Sequence, residues 1–576
     1  MQRRMVQSHT QRRVIGTQLL HCVHVLCLRL CSWRFGVIAS VWIPDSQNVS
    51  FDRTKTRGKM CSSEEPSRQS REMGQFNYDK RSSYAQVLVA LLQTPMIFNF
   101  GMMLSMPTIV LGALHNHKSE ALWLDDDQAS WFGSILFASH PLGSVCSGFF
   151  QTYLGRKGSM LLVNILFFIA WITLYSAQSP FVLCIAALTM GLGIGFDEAP
   201  LHSYIGEMSE PHLRATLCAV LVSCSWGGAL LMYLVAYLAP WRTVALISSA
   251  VPIFTIICIS QIPESPTWYI MKGRLNDAQK SLCWLRGWAE PDVTRAEFEQ
   301  LCGHIKKSSN SDQENPHAEE KYQAVPGNDN EKESAGKKNG LLKTKFRELT
   351  DKKLLLPLRM VFIVFIFSRA TQLTPMGPYM IGILDDFGFP VDSKLILFVA
   401  GLSGFAGTLM NILLVRKLGK RKMSLTSQGT VAFCMLLLGV YCSFFDRSNR
   451  ILSLTWIPIS LLVIAGFFGG LSMALLPWQL LSEVFPLKGR GVGGGVSAAY
   501  AYYVSFAMTK TYLYLEHWIR LNGVFFFYGG IALYGVWYLF RYLPETEGKS
   551  LEQIETYFTK NCDKKEMFSK PRRGAA

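Results

Sequence analysis

An all-α membrane protein with twelve spanning helices in two sets of six is the fold class this sequence predicts, and three observations predict it. Of the 576 residues 49% are hydrophobic and only 17% charged, with a mean hydropathy of +0.20; an ordinary globular chain is nearer 25% charged. Twelve apolar runs reach the roughly 20 residues that a bilayer crossing needs. One long polar stretch, Pro263–Lys353, divides these runs six and six. Such a composition excludes a disordered scaffold, a coiled coil and a disulfide-rich secreted domain.

The first six spans are expected at roughly Tyr84–Leu114, Ala129–Phe150, Ser159–Gln178, Phe181–Tyr204, Ala215–Leu238 and Thr243–Ile262. The second six are expected at roughly Leu354–Leu384, Leu395–Val415, Ser424–Phe445, Leu452–Leu481, Val492–Leu515 and Gly523–Leu543. Segments 81–262 and 354–543 thus read as two six-helix bundles, with an N-terminal tail over 1–80, a middle loop over 263–353 and a C-terminal tail over 544–576. Within the loop, Leu275–Gly287, with Trp284 and Leu285, has the pattern of an amphipathic helix at membrane-surface depth. The composition of Ser308–Gly340 predicts disorder.

Val14–Ile43 is apolar overall but carries Arg29 and Arg34. A central Arg costs about 2.5–3.5 kcal/mol on insertion, so this run is not a span. The expectation for it is disordered sequence or a start assigned too early, with Met60 or Met73 as the alternative starts. Asn48-Val49-Ser50 fits a glycosylation sequon but would face the cytoplasm, and is expected to be unused.

Orientation follows from charge. The net charge is +16, and cytoplasmic loops carry the Lys and Arg excess of membrane proteins. One side collects Gly155-Arg156-Lys157, His212-Leu213-Arg214, the middle loop, Arg416 to Lys422, Lys488-Gly489-Arg490 and the basic tail. Asp125-Asp126-Asp127 and Asp385-Asp386 fall on the other. Both termini are therefore expected in the cytoplasm. No soluble basic domain is visible, so nucleic acid is not an expected partner. The 14 Cys are scattered, many within apolar runs, and His21, Cys22, His24, Cys27 and Cys31 contain no CxxC. No metal, redox site or cofactor is expected. No Gly-rich phosphate loop or nucleophile elbow appears, so an enzyme is not expected.

Four motifs carry mechanism, and they come in pairs. Tyr204-Ile205-Gly206-Glu207 to Arg214 follows span four, and Ser482-Glu483 to Arg490 follows span ten; each places a Glu seven residues before an Arg. Pro263-Glu264-Ser265-Pro266 follows span six, and Pro544-Glu545-Thr546-Glu547 follows span twelve. As a set at matching helix ends, over roughly Ser83–Glu555, they resemble the sugar porter family of the major facilitator superfamily. Pro477-Trp478 in span ten matches the family as well, and Glu198-Ala199-Pro200 with Thr509-Lys510-Thr511-Tyr512 resemble its insect facilitated trehalose transporter branch.

The resemblance implies a carrier whose solute site lies at mid-membrane between two halves that rock to alternate access. It implies gating by Glu207, Arg214, Glu483, Arg490, Arg156, Arg421, Glu264 and Glu545, with Glu207 and Arg214 reaching across the bundle interface to Glu483, Arg490, Arg156 and Arg421. Exposed ion pairs are each worth about 0–1 kcal/mol, which suits a switch. The acid usual after span two is absent from Thr152-Tyr153-Leu154-Gly155-Arg156-Lys157, and its counterpart in the second half is Arg416.

The implied solute contacts are thinned. Against the family's usual amides, span seven reads Thr371-Gln372-Leu373-Thr374-Pro375-Met376-Gly377, with Thr371 and Gly377 at amide positions. Val222 and Ala501-Tyr502 stand at two further contact positions, and Trp478 remains as a stacking platform. Span one holds no acid over Phe100-Gly101-Met102-Met103, which favours facilitated diffusion over proton coupling. Asp197 and Glu198 lie within span four as a candidate intramembrane acid site, read either as a proton site or as a structural partner for a polar group in the bundle. Adjacent helical positions point about 100° apart, so the two do not face the same spot. The expected function is facilitative transport of trehalose or a hexose in the plasma membrane, by a monomer in the lipid bilayer. Transport of another small solute, proton-coupled sugar symport and a non-transporting sensor stay open as alternatives.

Overall fold

The structure is a computed structural model that describes residues 80–116, 122–311, 352–389, 391–444, 454, 456–485, 490–547, 549, 553–554 and 557–558. The expectations for the N-terminal tail and for residues 312–340 lie outside these. Ser308–Ser311, expected to be disordered, instead close the helix Pro291–Ser311.

Among the described residues, nine helices are long and apolar enough to cross a membrane. Two of them, Asp126–Tyr175 and Gly493–Tyr542, run 50 residues each, more than twice what one crossing needs. Each folds back at one non-helical residue, Gly155 (φ 82°) in the first and Arg520 (φ 58°) in the second. That makes eleven spans. Span seven, broken in its middle, makes twelve.

The helix boundaries have local causes. Span two starts at a capping box, where the Asp125 side chain accepts from the Gln128 N–H at 2.7 Å and the Gln128 side chain returns to the Asp125 N–H at 3.4 Å. Span four (Pro180–Met208) starts behind the Ser179 cap, with proline in the first turn, where no N–H is needed. Span six is Trp241–Ser248 followed by Ala250–Ser260. Span seven is Lys352–Thr371, a turn through Leu373 at φ 57°, a 3-10 turn Gly377–Tyr379 and the helix Met380–Phe387. Pro375 and Pro378 remove two backbone donors there, so the helix cannot continue unbroken. Span ten is Trp456–Phe468, a π-turn Gly469–Met473 and Leu476–Glu483. Irregular backbone at membrane depth is tolerated where protein or a cavity satisfies it. Both broken spans belong to the second six.

Large apolar side chains stand bare on the outer surface, among them Val145 (77% exposed), Phe181 and Phe444 (74% each). Water would make such a belt costly, and lipid does not. Inside, Phe132, Phe167, Trp171 and Met103 are fully buried. The Trp171 indole N–H donates to Asn99 Oδ1 at 2.9 Å, a polar tie between spans three and one. After span six the chain forms three short helices, Pro266–Met271, Leu275–Leu285 and Pro291–Ser311. The middle one is the expected amphipathic helix, ending two residues early, and it buries Ala278, Leu282 and Leu285.

Candidate functional site

The central site lies where spans two, four, seven, ten and eleven converge. A Cβ on Gly195 of span four would meet the His140 carbonyl oxygen at 1.9 Å, so the two backbones touch. That contact sets His140 beside Glu198, its Nε2 3.3 Å from Glu198 Oε2. Tyr502 of span eleven donates its hydroxyl to Glu198 Oε1 at 2.5 Å. Its ring stacks on His140, with centroids 3.4 Å apart and planes 18° apart. The first six spans are therefore tied to the last six at mid-depth by one hydrogen bond and one stacked pair. Trp478 stands 5.9 Å from Tyr502 and is held edge-on to Phe365 at 5.3 Å. The Arg369 guanidinium carbon lies 5.9 Å from each of the Trp478 and Tyr502 ring centres.

The expected solute contacts divide. Trp478, Tyr502 and Gln372 belong to this neighbourhood; the Gln372 amide N–H groups go to Ser368 Oγ (2.6 Å) and the Met473 carbonyl (3.2 Å). Thr371 does not. It is 1% exposed, and its hydroxyl bonds the Phe367 carbonyl at 2.5 Å and Gln428 Oε1 at 2.8 Å. Gly377 contributes its carbonyl to Thr108 Oγ1 at 2.9 Å, a joint between spans one and seven. Val222 is half-buried on span five, its carbonyl taken by Ser225. Of the two intramembrane acids, Glu198 faces the central site. Asp197 is 1% exposed, and neither of its oxygens has a hydrogen-bond partner among the described residues. The His202 ring nitrogen Nδ1 sits 2.7 Å from the Glu198 carbonyl, back on its own helix.

At one end of the bundle lie the Gly155 and Gly419 turns with their Arg and Lys residues, the basic end. The Glu264 carboxylate receives the backbone N–H groups of Arg156 (2.9 Å), Lys157 (3.0 Å) and Gly158 (3.4 Å), which open span three. Burial pushes the Glu264 carboxyl up, and those N–H groups pull the other way. Glu545 repeats the device, receiving the N–H groups of Lys420 (3.0 Å) and Arg421 (3.1 Å) at the start of span nine. Both turns need a left-handed glycine, Gly155 at φ 82° and Gly419 at φ 84°.

Of the expected gate pairs, Glu207 with Arg156 forms, while Glu483 takes Lys420 as its partner. Arg156 binds Glu207 Oε1 through Nη2 (2.7 Å) and Nε (3.0 Å), and Ser265 donates to Glu207 Oε2, all within the first six spans. Glu483 pairs with Lys420, which lies 3.2 Å from Glu547 as well, all within the last six. Arg421, the expected partner, sends Nη2 to the Phe540 carbonyl at 2.5 Å. A carboxylate that reaches a neighbour on its own side gains the same Coulomb energy without bridging a moving interface. The side chains of Arg214 and Arg490 lie outside the described residues.

The opposite, acidic end carries bridges between the two sets. Lys510 donates to Asp127 Oδ1 (3.0 Å) and Ser130 Oγ (2.6 Å), with its ammonium 4.3 Å from the Trp131 ring centre. Tyr514 donates to the same Asp127 oxygen at 2.9 Å. Hydroxyl and ammonium together hold the Asp127 carboxylate, and span eleven is pinned to span two.

Sequence reasoning missed Arg369, His140, Lys420 and the Lys510–Asp127 bridge. A signal existed for the first two. Each is an ionisable residue inside an apolar run, which in a membrane marks function by default.

Twelve spans, two of them broken, around a polar-aromatic site at mid-depth define a membrane carrier of the major facilitator fold. The xylose transporter XylE from E. coli shares it: a partially occluded inward-open structure has a TM-score of 0.62 at 16% identity, covering 81% of this chain and all of that one. A second XylE structure, bound to 6-bromo-6-deoxy-D-glucose, has a TM-score of 0.60 at 18% identity and covers 83% of this chain. The family described as "Sugar (and other) transporter" matches residues 23–558, and the chain belongs to that family. Facilitated trehalose transporters Tret1 are relatives. That of Polypedilum vanderplanki is 27% identical over 476 residues, 82% of this chain and 88% of its own. That of Culex quinquefasciatus is 26% identical, covering 82% and 86%. The Drosophila virilis relative is 26% identical, and the match spans 48% of its length.

Proposed function

We propose that the protein carries a sugar, trehalose or a hexose, down its gradient by alternating access. The observation that carries the reading is the central site itself: it holds the Trp478 ring, an aromatic platform of the kind that packs on the apolar side of a sugar, and it brings together residues of both six-helix sets. Membership of the sugar transporter family supports it, as do the trehalose relatives. Segments 81–262 and 354–543 are the two bodies that rock, joined by the loop 263–353. The positive-inside rule supports a cytoplasmic basic end, hence cytoplasmic tails over 1–80 and 544–576, in a plasma membrane monomer. The absence of an acid over Phe100–Met103 in span one supports uniport.

Uptake of labelled trehalose and glucose into oocytes at two external pH values tests this. Saturable uptake, equal at both pH values, is expected. Trp478→Ala should raise the apparent KM up to about tenfold, since an aromatic contact adds about 0.5–1.5 kcal/mol beyond its area. No uptake of either sugar, with the protein verified at the surface, would overturn the reading.

A further inference from the structure

Arg369 is a cation in search of an acceptor. It lies in the last turn of the first segment of span seven, half-buried, just before the backbone breaks. Its Nε is buried and has no hydrogen-bond partner among the described residues. Among the described residues, the charged or titratable side chains around the site are Glu198 and His140, with Asp197 and His202 near Glu198 on span four and Tyr502 between Glu198 and the guanidinium. Glu198 Oε1 accepts from the Tyr502 hydroxyl, and Oε2 lies 3.3 Å from His140 Nε2. The nearby polar groups of span seven are turned toward span ten: Ser368 Oγ donates to the Met473 carbonyl at 2.7 Å, and Gln372 bonds Ser368 and the same carbonyl.

A guanidinium is charged at any physiological pH. At membrane depth such a charge pairs with another group or faces a solute pathway. Here the aromatic faces of Trp478 and Tyr502 flank it, each 5.9 Å from its carbon. That arrangement fixes the fork's surroundings and leaves its hydrogen atoms unspent. The planar fork fits a carboxylate with two parallel hydrogen bonds, the strongest neutralisation available to it. A neutral sugar hydroxyl offers one weak acceptor and no charge.

We propose that the central site takes a sugar-sized solute that carries a carboxylate in preference to a neutral sugar, with Arg369 gripping the carboxylate beside the Trp478 ring. The inference rests on the sugar-carrier reading and narrows its substrate class to sugar acids. Tyr502 is the hinge of the arrangement, because it faces Arg369 on one side and donates to Glu198 on the other. A carboxylate bound at Arg369 therefore sits against the residue that ties the two sets of spans together.

The test uses the purified full chain in proteoliposomes, with labelled glucuronate and labelled glucose as probes. Saturable glucuronate uptake is expected. Unlabelled glucuronate should compete at least tenfold more strongly than its neutral methyl ester, a comparison that needs no variant. Arg369→Gln should lower glucuronate uptake more than tenfold at an unchanged size-exclusion profile. Arg369→Lys, which keeps the charge and loses the fork, should fall between the two. Equal competition by acid and ester would overturn the inference. Glucose uptake with no glucuronate uptake or competition would overturn it as well, and would leave the sugar-carrier reading standing. Uptake of neither probe would overturn the inference, and labelled trehalose, run beside them, decides the sugar-carrier reading separately.

Discussion

Replacing Gly155 with alanine should unfold the basic end of the first six spans. At φ 82° and ψ −176° the backbone occupies a region that is nearly glycine's alone, and a side chain there costs about 1–3 kcal/mol. The added Cβ would also stand 2.3 Å from Glu264 Oε2. The carboxylate would have to leave the N–H groups of Arg156, Lys157 and Gly158, where hydrogen bonds to a charged acceptor are worth about 1.5–3 kcal/mol each. Total destabilisation should therefore exceed about 3 kcal/mol. Thermal unfolding of the detergent-solubilised variant should show a clearly lowered Tm and a low yield. Gly419→Ala should do the same in the last six spans, because its Cβ would meet Glu545 Oε2 at 2.4 Å. An unchanged Tm in either variant would mean that the turn and its carboxylate cap contribute little.

Tyr502→Phe should shift the balance between the carrier's two states. The lost hydroxyl is the one that joins span eleven to span four through Glu198. A hydrogen bond to a charged group contributes about 1.5–3 kcal/mol, and each 1.4 kcal/mol is tenfold in an equilibrium. The state shown here, bridged at the acidic end, should lose at least about tenfold in population relative to the other. A cysteine placed at Thr108, buried beneath the Gly377 carbonyl, reports that shift. Its labelling by a membrane-impermeant thiol reagent should rise in Tyr502→Phe, and uptake should slow because one state now dominates. Glu198→Gln should act in the same direction. It keeps an acceptor for Tyr502 but discards the charge that both Tyr502 and His140 face. Labelling that stays level in both variants would remove the Tyr502–Glu198 contact from the transport cycle.

Much of this fold was legible in the sequence because membrane helices declare themselves by length and hydropathy. The twelve spans and the loop helix at Leu275 fall close to their expected places. Less legible was the course of the backbone within spans. Thr371 and Gly377 align with amide positions of the family's span-seven motif, an alignment that carries no backbone course. The break at Leu373 and Pro375 rotates the residues on either side, leaving Thr371 packed against Gln428 and Gly377 near the acidic end. Partner choice at the basic end was hidden for a similar reason. Spacing showed that Glu and Arg recur in both sets of spans, but whether a carboxylate turns inward or across depends on which cation is nearer. Lys420 holds Glu483, while Arg421, one position on and about 100° around the helix, holds a carbonyl instead. Arg369 lies two residues before the stretch Thr371–Gly377 read for sugar contacts, inside an apolar run taken as uncharged span.

The central claim is that the two sets of spans must part at the acidic end in every cycle. A cysteine pair at Gly133 and Pro378 tests it most directly. A Cβ at Gly133 would lie 3.2 Å from the Pro378 Cβ, near the 3.5–4.5 Å that a disulfide requires. Uptake of labelled sugar is measured in the oxidised and reduced double variant, with each single cysteine variant as control. Transport abolished on oxidation, restored by reductant and insensitive to both in the single variants is the predicted result. Full uptake by protein verified as cross-linked would contradict the account.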